Sequence, residues 1–386
     1  MAQAIVRPIW WRSRRLRGLI FQGALVAAIA VAVAGLVGHV LTQGGASGFG
    51  FLGNTAGFDI VQHLIPYSEQ STYGRVLLVG LLNTLLVAVL GIFFATILGF
   101  IIGVGQLSSN WLIARLCVVY VEVLRNLPLL LQIFFWYFAV LRALPGPRNS
   151  FNPFDGVFIN NRGIYLPRPE FAAEFIWVVA AFALGLLGAI WLQLQARDKR
   201  ERTGEHADTG LATFALLVLP ALVTSAIAGF PVTFSVPVLD GFNFAGGVVV
   251  IPELVALVTA LSAYSATYIA EAVRAGIAGV PSGQREAALA LGLSRGQMLR
   301  LVVIPQAMRQ IVPPLTSQYL NLTKNSSLAV AIAYPDLVSI FAGTTLNQSG
   351  HEIEVIAITM GVYLTLSLLT SGAMNWYNTR VALTER

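Results

Sequence analysis

Long apolar runs, separated by charged or turn-forming residues, dominate this chain. A helix needs roughly 20 mainly apolar residues to cross about 30 Å of hydrocarbon, and six runs reach that length with few or no charges. Two further runs are less uniform, since one follows a polar stretch and the other contains a lysine. We predict eight membrane spans, over residues 19–41, 76–104, 127–141, 175–194, 211–230, 251–269, 311–332 and 353–374.

The basic residues indicate how these spans are oriented. If the N-terminus is cytoplasmic, the segments assigned to the cytoplasm hold 17 of the 24 Lys and Arg residues, whereas the external segments hold six. Cytoplasmic loops of membrane proteins carry such an excess. Both termini are therefore expected in the cytoplasm, and the run at 19–41 is expected to be a retained anchor because it exceeds the length of a signal-peptide core.

Composition supports a membrane protein and argues against a nucleic-acid partner. Hydrophobic residues make up 56% of the chain and charged residues 11%, where a soluble domain carries about 25% charged residues. The net charge of +6 is scattered over short loops instead of being gathered on one face. The excess of positive charge is explained by membrane topology.

Residues for hydrolytic or metal chemistry are sparse. A phosphate-binding loop ends in Gly-Lys, but Lys199 follows Asp198 and Lys324 follows Thr323. The four histidines form no HExxH pair, no GxSxG elbow is present, and Cys117 is the single cysteine. We expect no enzyme activity and no cofactor or metal in this chain, so any ATP and Mg²⁺ would be handled by a partner ATPase.

The segment 279–309, between the sixth and seventh spans, has the pattern of two short helices and is called the elbow below. Pro281 suits a helix start, the strong helix formers EAALAL follow, and Gly292 ends the first helix. Ser294 with Gln297 has the form of a capping box, so a second helix is predicted to run to Ile304, before Pro305. On these features alone, an amphipathic loop lying on the membrane surface is an equal alternative.

The elbow also resembles a known motif. Glu286-Ala287-Ala288, with Gly292 and Pro305 at the matching spacing, looks like the EAA loop of bacterial ABC importer permeases, although Val302 and Ile304 stand where Ile and Leu are usual. The resemblance implies a coupling helix that seats in a cleft of the ATPase subunit. The coupling residues it implies are Arg285, Glu286, Ala287, Ala288, Gly292 and Pro305.

Further blocks extend the resemblance to the polar amino acid uptake permeases. GLLNTLLVAVLGIFFATILGF, YVEVLRNLPLLLQIFFWYF and PPLTSQYLNLTKNSSLA look like that family, and the enlarged layout is similar to Q-type subunits of general L-amino-acid importers. The implied fold is an all-α polytopic bundle of about eight helices, in which a five-helix core gains an N-terminal helix and a two-helix hairpin. The implied divisions are 1–75, 76–144, 145–250 with the hairpin, and 251–386 with the elbow.

The resemblance also implies partners and a location. It implies a heterodimer with a second, homologous permease, an ATPase dimer at the cytoplasmic face and a periplasmic amino-acid-binding protein. The chain would lie in the bacterial inner membrane and carry L-amino acids, including glutamate, glutamine, aspartate and asparagine. No partner is visible in this sequence.

Polar side chains along the seventh span suggest where a substrate could pass. Intramembrane polar groups are costly and usually face a protein interior or a wet cavity. At helical spacing they form one stripe, made of Ser317, Gln318, Asn321, Lys324 and Asn325. This stripe is the candidate substrate path. The alternative, hydrogen bonding to neighbouring helices, is at least as common for amides and hydroxyls.

Two charged pairs and two loops complete the predictions. Glu122 with Arg125, and Glu271 with Arg274, are spaced for ion pairs at i, i+3, and the helix carrying the first pair is expected to break near Pro128. The external segments 42–74 and 145–174 are long enough to form small caps. They are candidate docking surfaces for a binding protein, or else solvated connectors.

Three functions follow from these features. The leading one is a permease subunit of an ATP-driven amino-acid importer that works by alternating access. An ion-coupled secondary amino-acid transporter is the alternative, and it would normally show a buried acidic residue within a span and internal symmetry. A membrane scaffold that recruits a partner through the elbow is the third, which the polar stripe disfavours.

Overall fold

The computed structural model describes residues 27, 31, 48–203 and 209–381. The predicted span at 19–41 lies almost wholly outside these residues. Within the described part, five helices are long and apolar enough to cross a membrane, and two bent helix pairs raise the number to seven if each pair is one span. The polytopic helical fold is confirmed, while an eighth span at 19–41 stays a prediction.

Eleven α-helices are described, and several continue directly into π or 3-10 turns. In chain order they are α1 Tyr73–Gly105, α2 Trp111–Asn126, α3 Leu129–Phe134, α4 Phe175–Thr203, α5 Gly210–Ile227, α6 Pro252–Ala278, α7 Ser282–Ala290, α8 Arg295–Met298, α9 Ile304–Asn325, α10 Leu346–Ser349 and α11 Glu352–Val381. The π segments are Phe135–Leu141, Leu299–Val303 and Leu337–Thr345, and the 3-10 segments are Phe49–Gly53, Pro147–Asn149 and Ser326–Ile332.

The third predicted span, 127–141, is part of a larger bent unit. Helix α2 precedes it and ends at Asn126, and the chain then turns by 105° into α3 and its π extension. Pro128 lies at the turn because a proline cannot donate a backbone hydrogen bond within a helix and restricts the residue before it. The predicted break near Pro128 is confirmed, and α2 is the helix that was predicted to carry Glu122 and Arg125 up to this break.

Eight short strands interrupt the predicted all-helical pattern in the segments 145–174 and 231–250. They are β1 Phe151–Phe154, β2 Val157–Asn160, β3 Gly163–Leu166, β4 Arg168–Phe171, β5 Val232–Ser235, β6 Val238–Asp240, β7 Asn243–Ala245 and β8 Val248–Val250. They form an antiparallel sheet in the order β1-β2-β3-β8 and two separate pairs, β4-β5 and β6-β7. The hairpin α4-α5 is inserted between the paired strands β4 and β5.

The chain divides into two compact units. Residues 1–88 and 319–386 form one unit, and residues 89–318 form the other. In the first, Phe51, Val76, Leu337 and Phe341 belong to one buried apolar cluster. In the second, helix α6 is packed closely by its neighbours, and glycines permit the approach: a Cβ added at Gly103 would lie 2.7 Å from the carbonyl oxygen of Ala270. Such small residues are typical of helix contacts in membranes.

Candidate functional site

The elbow has the two-helix form that its sequence predicts. Helix α7 begins after Pro281 and ends before Gly292, which adopts a φ of +77°. Glycine takes this left-handed conformation without steric cost, so it can end a helix sharply. Ser294 then caps α8: its hydroxyl accepts from the Gln297 backbone N–H, and the Gln297 side chain accepts from the Ser294 N–H at 2.9 Å. The break and the capping box are confirmed.

The predicted end of the second helix, before Pro305, is wrong. The chain runs from α8 through a π segment, Leu299–Val303, and enters α9 at Ile304. Pro305 has no N–H, and its ring would clash with the carbonyl four residues earlier in a regular helix. A π turn is wider than an α turn, and here it lies directly before Pro305, where a regular helix would clash with the proline ring.

The elbow presents two different faces. Glu286 and Ala287 are exposed, as are Leu289 and the 81% exposed Leu291. Ala288 is turned inward and only 3% exposed, so of the two alanines that the resemblance implies as coupling residues, only Ala287 lies on the open surface. Apolar side chains beside a carboxylate, on a loop outside the spans, form a surface suited to contact with another protein.

Arg285, which the resemblance implies as a coupling residue, also lies on the inner side of the elbow. Its Nη2 donates to the backbone oxygen of Ile277 at 2.7 Å, near the end of α6. A cation at a helix C-terminus pairs favourably with the carbonyls that have no partner in the helix. Arg285 therefore fastens α7 to α6 instead of facing solvent.

Helix α6 and helix α9 meet closely just behind the elbow. A Cβ added at Gly276 would lie 2.4 Å from Cγ1 of Ile311 and 3.1 Å from the oxygen of Ala307. A Cβ at Gly279 would meet the side chain of Gln310. Because α7 follows α6 and α8 leads into α9, a displacement of the elbow acts on the ends of two packed helices.

The polar stripe lies along α9, which continues through Pro313 and Pro314 to Asn325. Ser317, Asn321 and Lys324, spaced at i, i+4 and i+7, are exposed, whereas Gln318 and Asn325 are half-buried. Among the described residues, no side-chain hydrogen bond or ion pair involves Asn321 or Lys324. The isolated chain therefore leaves Ser317, Asn321 and Lys324 uncovered. An exposed lysine facing lipid near the centre of a span would cost about 2.5–3.5 kcal/mol on insertion scales, which favours a partner or water at this face.

The two predicted ion pairs have different outcomes. Glu271 and Arg274 pair at 2.9 Å, as predicted. Glu122 and Arg125 do not pair: the Arg125 guanidinium lies over the Tyr268 ring, 5.2 Å from its centroid, and Glu122 is exposed. A guanidinium stacks favourably on an aromatic face, and this contact links α2 to α6 next to the helix break.

A buried polar cluster that the sequence did not reveal lies in the unit of residues 1–88 and 319–386. The Asn83 amide donates to the backbone oxygens of Gln62 and Pro335, both at 2.8 Å. Asp336 is fully buried and caps the following π segment, since its Oδ1 accepts from the Ser339 N–H at 2.8 Å. The cluster joins a loop before α1 to the break between the 3-10 turn and the π segment.

That loop, residues 48–72, is folded and is called the cap. The Tyr67 hydroxyl donates to the Phe58 oxygen at 2.7 Å; burial, with the nearby Asp59 carboxylate, raises the pKa of Tyr67 to about 12. Val61 is 81% exposed, and Leu64 and Phe49 are also exposed. The cap is thus a folded loop with apolar side chains on its surface.

Comparison with known proteins identifies the family. The family described as "Binding-protein-dependent transport system inner membrane component" matches residues 95–383. The chain belongs to this family. It is accordingly a multi-pass membrane component of a transport system and not an enzyme.

Relatives of this permease family match it over nearly their whole length. The chain is 51% identical over 375 residues to a putative amino-acid ABC transporter permease protein, YhdX, of Escherichia coli K12, covering 96% of this chain and 95% of that one. It is 56% identical over 341 residues to the general L-amino acid transport system permease protein AapQ of Rhizobium johnstonii, covering 88% and 85%. A solved amino acid ABC transporter is similar at a TM-score of 0.48 and 20% identity, over 80% of this chain and 95% of that one.

Asp336 bears on the ion-coupled alternative. Such a transporter would normally show a buried acidic residue within a span, and Asp336 is buried, although it lies at the break of a bent helix pair, between the predicted spans 311–332 and 353–374. Its cap to Ser339 supplies a structural reason for the carboxylate. Membership in the permease family, and not the absence of such an acid, decides against an ion-coupled transporter.

Proposed function

We propose that this chain is the permease subunit of an ATP-driven importer of L-amino acids. Its relatives are named as amino-acid permeases, and a third, 41% identical over 369 residues, is named for glutamate, glutamine, aspartate and asparagine in Rhodobacter capsulatus. The observation that carries the proposal is the elbow, which offers Glu286 and exposed leucines to a partner while its other face is fastened to α6.

The partner at the elbow is a separate ATPase dimer, which binds ATP and Mg²⁺. Closure of that dimer moves α7, and the motion passes to α6 through Arg285 and to α9 through the continuous run from α8. Those two helices are packed together at Gly276. Differential affinity of the ATPase for two arrangements of this helix pair would shift the permease between inward-open and outward-open states.

The substrate path runs along the polar face of α9. Ser317, Gln318, Asn321, Lys324 and Asn325 supply amides, a hydroxyl and one positive charge for an amino-acid zwitterion. The stripe is exposed in the single chain, and a second, homologous permease would cover it and complete the path as a heterodimer. Two different relatives that share the name glutamate/aspartate import permease protein, GltJ and GltK of Escherichia coli, support such a pairing.

A periplasmic binding protein delivers the substrate to the cap. With both termini in the cytoplasm, the cap and the strand-bearing segments lie outside the inner membrane. Val61, Leu64 and Phe49 give the cap an exposed apolar surface, of the kind that forms the buried centre of a protein contact. The cap is ordered by the Tyr67 and Asn83 hydrogen bonds.

The experiment is uptake of labelled glutamate, glutamine and leucine by proteoliposomes that hold the complete complex, with binding protein outside and ATP inside. Glu286→Lys reverses the exposed charge of the elbow, and Leu291→Asp replaces its most exposed leucine. The matched control is Glu201→Lys, because this glutamate is also exposed and its ion pair with Arg197 is a surface one.

We expect wild type and the control to take up amino acids only with ATP. Both elbow variants should lose most uptake while the two permeases stay assembled, because the ATPase no longer engages. Uptake that proceeds without ATP would overturn the importer. Unchanged ATP-dependent uptake in both elbow variants would overturn the coupling role of the elbow.

A further inference from the structure

An open-sided cavity of about 420 Å³ lies within the unit of residues 1–88 and 319–386, between the end of α9 and α11, with the exposed Met360 and Leu364 at its open side. Lys324 and Ser327 line one side, and Thr359, Tyr363 and Ser367 line the other. Its volume falls in the range of small-molecule sites. The cavity brings residues of α11 to the lysine of the polar stripe, which the sequence pattern of α9 could not show.

The cavity is lined by residues of two predicted spans. Lys324 belongs to the predicted span 311–332, and Thr359 and Ser367 belong to the predicted span 353–374. Helix α11 begins at Glu352, so at 1.5 Å per residue Thr359 and Ser367 lie roughly 10 Å and 22 Å along it. An ionisable side chain within a span marks a substrate path or a paired charge. Among the described residues, no acidic side chain lines the cavity or pairs with Lys324.

The available hydrogen-bonding groups favour an anion. Lysine supplies a positive charge and up to three donors. Ser327 and Thr359 already donate to backbone oxygens, of Lys324 and Val355 respectively, both at 2.8 Å. The Ser367 hydroxyl takes part in no hydrogen bond among the described residues and can donate. A charge with adjacent donors and apolar walls selects a small anionic group.

We propose that this cavity is a subsite for a carboxylate of the transported molecule, with the Lys324 ammonium as its charge partner and Ser367 as a hydroxyl donor. The inference rests on the proposed function, because an amino acid brings carboxylates to the path. Two sources share this chemistry: the α-carboxylate of every amino acid, and the side-chain carboxylate of glutamate and aspartate. Transport of three substrates separates them.

The test uses the complete complex in proteoliposomes and compares wild type with Lys324→Met, Lys324→Arg and Ser367→Ala. Lys199→Met is the matched control, since Lys199 is the only other lysine and lies at the exposed end of α4. The initial rates of glutamate, glutamine and leucine uptake give KM and kcat. ATP hydrolysis stimulated by loaded binding protein is measured in the same vesicles.

Loss of a hydrogen-bonded charge pair should lower kcat/KM of the Met variant about 10- to 100-fold, with a smaller loss for Ser367→Ala. Arginine keeps the charge and should restore much of the uptake, and stimulated ATP hydrolysis should persist in all variants. An equal loss for all three substrates assigns the α-carboxylate, and a loss for glutamate alone assigns the side-chain carboxylate.

The proposal is overturned if Lys324→Met transports all three substrates at the wild-type rate. It is also overturned if Met and Arg variants lose uptake and stimulated ATP hydrolysis together, because that result indicates a structural role. Failure of wild type itself to show ATP-dependent uptake would instead overturn the proposed function, so the two failures are distinguishable.

Discussion

Helix α6 and the two helices of the hairpin, α4 and α5, are all long and apolar enough to span a membrane, but they differ in how much of each is buried by the rest of the chain. Two-thirds of the most apolar window of α6 is buried within the chain (67%), against 11% for α4 and none for α5. The buried helix has the lower mean hydropathy, 1.3 against 2.4 and 2.1. A span that faces protein can carry Ser262, Ser265 and Thr267, whereas a span that faces lipid must be apolar all round.

The contact within the hairpin is also close, but it is local. A Cβ added at Gly185 would meet the Leu216 backbone oxygen, and Pro220 packs beside it. The outer surfaces of both helices are exposed, including Trp177, Leu184 and Phe214. The hairpin therefore folds on itself as an addition to the permease, while α6 is a structural centre of the permease.

The largest effect is expected at the contact between α6 and α9. Gly276→Leu places a side chain where a Cβ would already lie 2.4 Å from Ile311, and overpacking of a tight contact costs about 1–3 kcal/mol, occasionally more. We expect loss of monodisperse permease and of uptake. The measurement is the yield and thermal midpoint of the purified complex by size exclusion in detergent.

The control is Gly372→Leu in α11, where an added Cβ has no atom within 4 Å. It should purify like wild type. If Gly276→Leu also purifies and melts like wild type, the close packing of α6 against α9 is refuted.

A smaller loss is expected where a buried polar side chain is removed from the core. Asn83→Ala leaves the Gln62 and Pro335 oxygens without their donor, which costs about 2 kcal/mol when the acceptors stay buried. Thr224→Ala in the hairpin is the control, because that hydroxyl donates only to Pro220 on its own helix. The thermal midpoint should fall clearly for Asn83→Ala and little for Thr224→Ala. Equal falls would contradict the expected difference between the buried core and the hairpin.

A third prediction compares helix caps in the two regions. Asp336 caps a π segment through the Ser339 N–H, whereas Thr209 makes no side-chain cap at the start of α5. Asp336→Ala should cost about 1 kcal/mol, and Thr209→Ala should leave the thermal midpoint unchanged. Asp336→Asn keeps an acceptor oxygen and should retain ATP-dependent uptake. Abolished uptake in a stable Asn variant would show that the charge itself takes part in transport.

The sequence predicted what depends on length and local signals. Seven runs of apolar residues correspond to the five described spans and the two bent pairs, and the capping box at Ser294 formed because its two residues bond to each other's backbone. Local chemistry of this kind is readable without a fold. The end of the elbow at Pro305 was misread because a π turn, not a break, accommodated the proline.

The features that the sequence missed depend on distant residues. Strand β3 pairs with β8 across the whole hairpin insertion, and no short-range pattern indicates such a partner. Arg125 was predicted to pair with Glu122 nearby, but Tyr268 offered an aromatic face from another helix. Of the candidate site, Arg285 could be named from its motif, but only the fold showed that it points inward to Ile277.

The smallest effect is expected from removing the hairpin altogether. Its two ends are held together by the β4-β5 pair, in which Phe171 lies opposite Val232, and the Ala172 N–H donates to the Pro231 oxygen at 3.1 Å. Residues 173–230 can therefore be replaced by Asn-Gly, which suits a two-residue connection between antiparallel strands. Because no residue in the apolar stretch of α5 is fully buried, we expect a wild-type thermal midpoint and substantial ATP-dependent uptake. The control removes only residues 173–203, which leaves an odd number of spans and should prevent correct insertion. The variant with Asn-Gly in place of the hairpin could instead be stable but fail to assemble with its partners or to transport. That result would show that the hairpin contacts another subunit, and it would contradict the view that the hairpin is an addition the permease does not need.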